Sequence, residues 1–212
     1  MSAEVKRRYH SPLRADQARR TKDRVLETAF ALFAERGYAG TTIADVADRA
    51  GVSPETIYLA VGSKRGLLEG VIETAIAGDG DPEAQESDLW AEIEQLEGPR
   101  ERLARMVEHS CAILARTRPI HTVIRGAADK EAFAGALTSR LLRDRLAAQT
   151  DRIDRYLAGD LKKGLSVAEA GQRYCALAGP ELYYTLTVEV GWSAKRHRAW
   201  LIDLLATELL EP

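Results

Sequence analysis

Ser53, Pro54, Glu55, Thr56, Tyr58 and Lys64 fall within twelve consecutive residues, and their side chains suit contact with a nucleic-acid duplex. A glutamate can accept a hydrogen bond from a cytosine amino group, and a threonine can meet a thymine methyl or a base edge. A tyrosine hydroxyl can donate to a phosphate oxygen, and a lysine can neutralise one. Other chemistry finds less support. The sequence holds no glycine-rich phosphate loop, no HExxH, no G-x-S-x-G and no paired metal carboxylates. Its four histidines are far apart, and His109 with Cys111 lacks the two further ligands of a zinc site. No catalytic residue, metal or cofactor is implied.

Such side chains work only if an element presents them together. Thr42 is a good helix N-cap, and Asp45 three residues on resembles a capping box. Ile43, Val46, Ala47 and Ala50 recur at helical spacing, and Gly51 stands where a left-handed residue commonly ends a helix. Ser53 can cap a second helix with Pro54 at its first position, where the missing N–H costs nothing. This helix spans about two turns. Ile57 packs back onto the first helix, which leaves Glu55, Thr56, Tyr58 and Leu59 nearer the surface. Ser63 can cap a third helix carrying Leu67, Leu68, Val71 and Ile72. Two short helices joined by a tight glycine-containing turn make a helix-turn-helix, whose second helix enters the major groove. A pair of core helices in some other bundle would give the same spacing.

The remaining composition fits this organisation. At 212 residues, 45% hydrophobic and 29% charged, the chain suits an ordinary soluble protein of one large or two small domains. No apolar run approaches the ~18 residues of a membrane span. The basic N-terminus lacks the apolar stretch of a secretory signal. Two cysteines, Cys111 and Cys175, suggest no disulfide framework, so the expected location is the reducing cytoplasm. Net charge is −2, but its distribution is uneven. Residues 1–65 hold 12 Lys and Arg against 8 Asp and Glu, and residues 66–212 hold 18 against 24. A basic N-terminal part on an acidic remainder suits a chain that offers one end to phosphates; a solvated basic tail is the plainer reading.

In chain order, Lys6, Arg7 and Arg8 belong to a polar N-terminal arm able to follow a backbone or enter a minor groove. A helix is expected from about Arg14 to Arg36, with Val25, Leu26, Ala29, Phe30 and Phe33 on one face. Arg19, Arg20, Lys22 and Arg24 lie near its start, where cations oppose the helix dipole, a hint that they serve something outside it. A helix over Lys64–Ala77 should end at Gly78. Asp79 through Glu97 holds eight acids and no base, which suits a solvated loop leading into a polar helix docked by Leu89 and Trp90. A helix after Gly98-Pro99 should break near Arg118, because the residue before a proline is pushed from the helical region. A short helix over Ile120–Lys130 and a long one over Phe133–Leu157 follow. Ser166, with Glu169, can cap the next, which Pro180 should kink or split. The last should span Lys195–Leu210. The fold class is therefore all-α.

The ordered set Gly37-Tyr38, Thr41-Thr42-Ile43, Asp45-Val46-Ala47, Ala50-Gly51-Val52-Ser53, Thr56-Ile57-Tyr58, Ser63-Lys64 and Leu67-Leu68 resembles the DNA-binding domain of the TetR-type (tetracycline-repressor-like) transcriptional regulators. The resemblance covers roughly residues 20–80. The chain departs from the family at Leu59-Ala60-Val61, where a histidine and an aromatic residue are common. The resemblance implies a three-helix DNA-binding domain over 19–79, with its helix-turn-helix at 42–61, and a helical effector-binding and dimerisation domain over 80–212. It also implies that Thr42 contacts the DNA backbone. Arg20, Thr42, Ser53, Pro54, Glu55, Thr56, Tyr58 and Lys64 are the candidate DNA contacts.

The apolar residues of the last two helices exceed one stripe, which fits a four-helix contact between two copies, and the resemblance places its dimer contact there too. The expected partners are a palindromic double-stranded operator, a second copy of the chain and a small-molecule effector, with no membrane. Met106, His109, His121, Arg125, Phe133, Tyr174 and Tyr183 are the candidate pocket residues. The expected function is a homodimeric repressor released from its operator by the effector. A ligand-independent architectural or cell-cycle protein on the same scaffold is the second reading, and a helical enzyme the third.

Overall fold

The computed structural model describes residues 12–78, 82–128 and 132–211. Among these the regular elements are helical, with one isolated bridge between Leu161 and Leu210. The chain divides between Thr74 and Ala75 into two compact units. Lys6, Arg7 and Arg8 lie outside the described residues.

The first unit is built from α1 (Pro12–Arg36), α2 (Ile43–Ala50), α3 (Pro54–Val61) and most of α4 (Lys64–Ala77). Val25, Leu26, Ala29, Leu32 and Phe33 recur along α1 at the spacing of one helical face, and all are buried. They meet Val46, Ala47 and Ala50 of α2, Ile57 of α3 and Leu67, Leu68 and Val71 of α4 in one core. Tyr38 is buried beside Phe33, ring centroids 5.6 Å apart. Gly70 lets α4 approach α1 closely, since a Cβ there would stand 2.8 Å from the Leu26 side chain.

The second unit contains α5 (Pro82–Glu94), α6 (Pro99–Ala128), α7 (Ala132–Leu157), α8 (Val167–Leu177), the short α9 (Pro180–Tyr184), a wide π turn (Thr185–Glu189) and α10 (Ala194–Leu209). Its core joins Leu103, Met106 and Val107 of α6, Ile153 and Leu157 of α7, Tyr174 of α8, and Leu201, Leu205 and Leu209 of α10. Leu89 and Trp90 of α5 pack against this cluster. Arg102 ties three chain segments together. Its guanidinium donates to the Leu96 and Glu97 carbonyls beyond α5 (2.8 and 3.0 Å), to the Tyr156 carbonyl near the end of α7 (2.9 Å) and to Asp160 (2.6 Å).

The break expected near Arg118 does not occur. α6 continues through Pro119 to Ala128, so the separate helix expected from Ile120 is its continuation. Pro119 withdraws the N–H that would reach the Ala115 carbonyl, a local cost of about 3 kcal/mol. Ala115 is exposed, so water can meet that carbonyl. Leu114, Ile120, Val123 and Ile124 are buried on both sides of the proline, and their packing outweighs the penalty. Pro180 acts as its chemistry requires: α8 ends at Leu177, and the proline begins α9. Ser166 caps α8 by accepting from the Glu169 N–H.

His197 is buried in the second unit. Its Nδ1 lies 3.8 Å from the Cys111 sulfur, its ring stands edge-on to Tyr183, and its Nε2 has no hydrogen-bond partner among the described residues. Burial lowers the imidazole pKa, because a charge there would be desolvated. The folded value lies below that of the unfolded chain, near 6.5, so on acidification the unfolded state takes the proton first. The stabilisation is complete above that value and is lost as pH falls through the folded one. Acidification from about pH 7 to about pH 5 should therefore lower the melting temperature of the second unit. His197→Phe should flatten that dependence; a profile equally steep in the variant would assign it to other groups.

Candidate nucleic-acid interface

The helix-turn-helix is set by its caps. Thr42 and Asp45 form the full capping box: the Asp45 N–H donates to the Thr42 hydroxyl (3.1 Å), and the Thr42 N–H donates to the Asp45 carboxylate (2.8 Å). The Thr42 hydroxyl also donates to Asp45, the main cause that holds this carboxyl below its usual pKa range. Gly51 ends α2 at φ 65°, a left-handed conformation that glycine adopts without steric cost. The next residue, Val52, donates back to the Ala47 carbonyl at 3.0 Å, which closes the turn. Ser53 then caps α3 by accepting from the Thr56 N–H, with Pro54 at the first helical position.

These caps fix which side of α3 faces outward. Ile57 is fully buried and anchors the helix, whereas Ser53, Pro54, Glu55, Tyr58 and Leu59 are exposed and Thr56 is half-buried. The Glu55 carboxyl is held below its usual range, first by its own backbone N–H and then by the Ser53 hydroxyl. It is thus an ionised acceptor suited to an amino group. The Thr56 hydroxyl lies 3.2 Å from the Ser53 hydroxyl.

Cations flank this face within the first unit. Arg19 and Arg20 are exposed on α1 and share Asp16, each at 2.9 Å. An open trough of about 600 Å³ runs between α1 and α3, lined by Gln17, Ala18, Arg19, Thr21, Lys22, Thr56, Leu59 and Ala60. Lys64 begins α4 with its ammonium 4.3 Å from the Tyr38 ring centroid. Thr42, Ser53, Pro54, Glu55, Thr56 and Tyr58 thus lie on the capped motif, with Arg20 on α1 and Lys64 at the start of α4. Leu59, a surface residue at the start of the departure from the family pattern, is not among the candidate DNA contacts read from the sequence. Its signal was an apolar side chain two positions from the buried Ile57, about 200° around the helix.

The residues expected in a ligand pocket are more scattered. Met106 and Tyr174 belong to one packed core, where the Tyr174 hydroxyl pairs with Ser110 at 3.0 Å. Tyr183 packs against His197. His109 stands edge-on to Trp90, and His121 lies 3.7 Å from Glu181, whose carboxyl its imidazole holds below the usual range. Arg125 is exposed and Phe133 half-buried. A cleft of about 450 Å³ lies instead between α5 and α7, lined by Trp90, Glu94, Asp151, Arg152, Arg155 and Tyr156 among others, and by none of the seven. Trp90 stacks on Tyr156, ring centroids 5.5 Å apart, and the Arg152 guanidinium lies over Trp90. The spacing of Arg152, Arg155 and Tyr156 puts them on one helical face, a signal available in the sequence.

Residues 25–71 match the family described as "Bacterial regulatory proteins, tetR family". The HTH-type transcriptional regulator TtgR of Pseudomonas putida is 30% identical over 109 residues, 51% of this chain and 51% of its own length. The chain thus spans about half the length of this curated relative. NalD, described as the secondary repressor of the MexAB-OprM multidrug efflux pump in Pseudomonas aeruginosa, shares the fold at a TM-score of 0.68 and 17% identity, over 92% of this chain and 98% of that one. SmeT in complex with triclosan does so at 0.66 and 20%, over 91% and 92%. With a helix-turn-helix of this geometry inside it, the segment 25–71 is similar to the DNA-binding part of the tetR family of bacterial regulatory proteins, and the solved structures share the helical fold of the chain.

Proposed function

We propose that the chain is a homodimeric transcriptional repressor that binds a palindromic operator and is released from it by a small molecule. The observation that carries this reading is α3. Its one buried side chain is Ile57, and its capped N-terminal end presents Ser53, Pro54 and Glu55 to solvent. In a helix-turn-helix that end meets base edges. Arg19, Arg20, Lys22 and Lys64 supply phosphate neutralisation, Thr42 and Tyr58 backbone hydrogen bonds, and Glu55 and Thr56 base contacts. A helix of this length reads few base pairs, so two copies reading half-sites a helical turn apart, or multiples of it, give useful specificity.

Dimerisation through the C-terminal helices agrees with the exposed Val188 and Val190, which lie just before α10. NalD is described as a repressor and SmeT was solved with a small molecule; both descriptions agree with repression relieved by an effector. The cleft between α5 and α7 is the candidate effector site, with His109 beside its Trp90 wall. Of the remaining pocket candidates, Met106, Tyr174 and Tyr183 are buried and would contact a ligand only if the helices part, whereas His121 and Phe133 are half-buried and Arg125 is exposed. An effector that binds the DNA-free form more tightly lowers operator affinity by that difference.

The test is selection of bound duplexes from a random pool by the purified chain. An inverted repeat should emerge, and a small molecule should then displace it. A pool without an enriched motif would overturn the proposal, and binding that no small molecule alters would remove the effector from it.

A further inference from the structure

Resting on the DNA-binding reading of α3, we infer that Leu59 is a specificity determinant that packs against the C5-methyl group of a thymine in the major groove. Leu59 is 90% exposed, while the other exposed large hydrophobic residues among those described lie between 39% and 57%. In the first unit, the exposed large hydrophobics described are Leu59 and its neighbour Tyr58. Single apolar residues on a surface are ordinary. This one is distinguished by its place on the helix that the fold presents outward.

Ile57 points into the core, and Leu59 stands about 200° further around the helix, so it sits near the centre of the outward face. Glu55 precedes it by four residues and shares that face. On its other side Leu59 lines the trough that also holds Arg19 and Lys22. Phosphates drawn to those cations would lie beside the leucine, and the groove floor would lie before it.

The major-groove edges of the bases carry donors, acceptors and a single apolar group, the thymine methyl. Leucine offers no hydrogen bond. Packed against a cytosine amino group or a guanine oxygen, it would displace water and leave a polar atom unsatisfied. Packed against a methyl group, it removes apolar surface from water on both sides. The side chain therefore both favours thymine and disfavours its alternatives, next to a glutamate that accepts from cytosine.

The test uses the duplex enriched by the whole chain, resynthesised with deoxyuridine in place of one thymine at a time, symmetrically in both half-sites. Uracil keeps every hydrogen-bonding atom and lacks only the methyl. At one thymine per half-site the affinity should fall, by about fourfold for each methyl lost, and other positions should change little. Leu59→Ala should bind the thymine and deoxyuridine duplexes equally, at the weaker level and with an unchanged melting temperature. Leu59→Met should restore the discrimination. A flat deoxyuridine scan with tight binding would overturn the inference and leave the DNA-binding reading standing. Discrimination that survives in Leu59→Ala would overturn it equally. A variant that binds DNA normally but changes oligomeric state would assign Leu59 to a protein contact. A pool that yields no motif would remove both the inference and the reading beneath it.

Discussion

Operator affinity should fall by roughly three orders of magnitude or more when salt is raised from about 50 to about 200 mM. The reason is counterion release. Arg19, Arg20 and Lys22 on α1 and Lys64 at the start of α4 are four cations per copy placed around α3, and a dimer doubles that set. Each phosphate neutralised frees a condensed counterion, so affinity follows salt with a slope close to the number of contacts. Arg19 and Arg20 are each paired with Asp16 at the surface, and a phosphate can compete for them because such exposed pairs are weak. Binding isotherms at four or five salt concentrations measure the slope. Lys22→Gln should make it shallower by about one for each copy bound and weaken all sequences alike. An unchanged slope would take Lys22 out of the interface.

Replacing Ile57 with alanine should destabilise the first unit by about 2–5 kcal/mol. Ile57 is fully buried in a core shared with α1, α2 and α4, and α3 has no other buried residue. A folding unit of this size has little stability to spare, so a population of chains with α3 undocked should appear near physiological temperature. Urea unfolding followed by far-ultraviolet circular dichroism would show an early transition for the first unit, and operator binding would weaken with it. Binding that survives while the early transition appears would mean that DNA itself can dock the helix. A loss below about 1 kcal/mol would show that the neighbours close over the cavity.

The parts legible in the sequence were those fixed by local backbone chemistry. Thr42, Asp45, Gly51, Ser53 and Pro54 each satisfy or remove a particular backbone group, and the motif they bound stands where they place it. α4 spans Lys64–Ala77 as its pattern indicates, with Ser63 accepting from the Gly66 N–H. What escaped was set by distant contacts. Pro119 reads locally as a break, and only burial of Leu114 and Ile120 on either side keeps α6 continuous. The π turn over Thr185–Glu189 has no composition of its own. Tyr174 and Met106 read as pocket residues because aromatic and sulfur side chains suit both cores and ligand sites; their closely packed neighbours place them in the core. Arg152 and Arg155 share a helical face in the sequence, but only the fold brings Trp90 of α5 beside them across the cleft.

The two cysteines have a practical outcome. Both lie in the second unit, both are buried, and burial pushes the Cys111 thiol up to about 11. A thiol in that state is inert at neutral pH, because the thiolate is the reactive form. Cys175 accepts from the Arg145 Nε at 3.4 Å. A maleimide or an aromatic disulfide reagent would therefore react only when this half of the chain opens, and the half that carries the helix-turn-helix would stay silent. The native sequence thus already contains a clock for one unit alone, readable by mass without any engineered label.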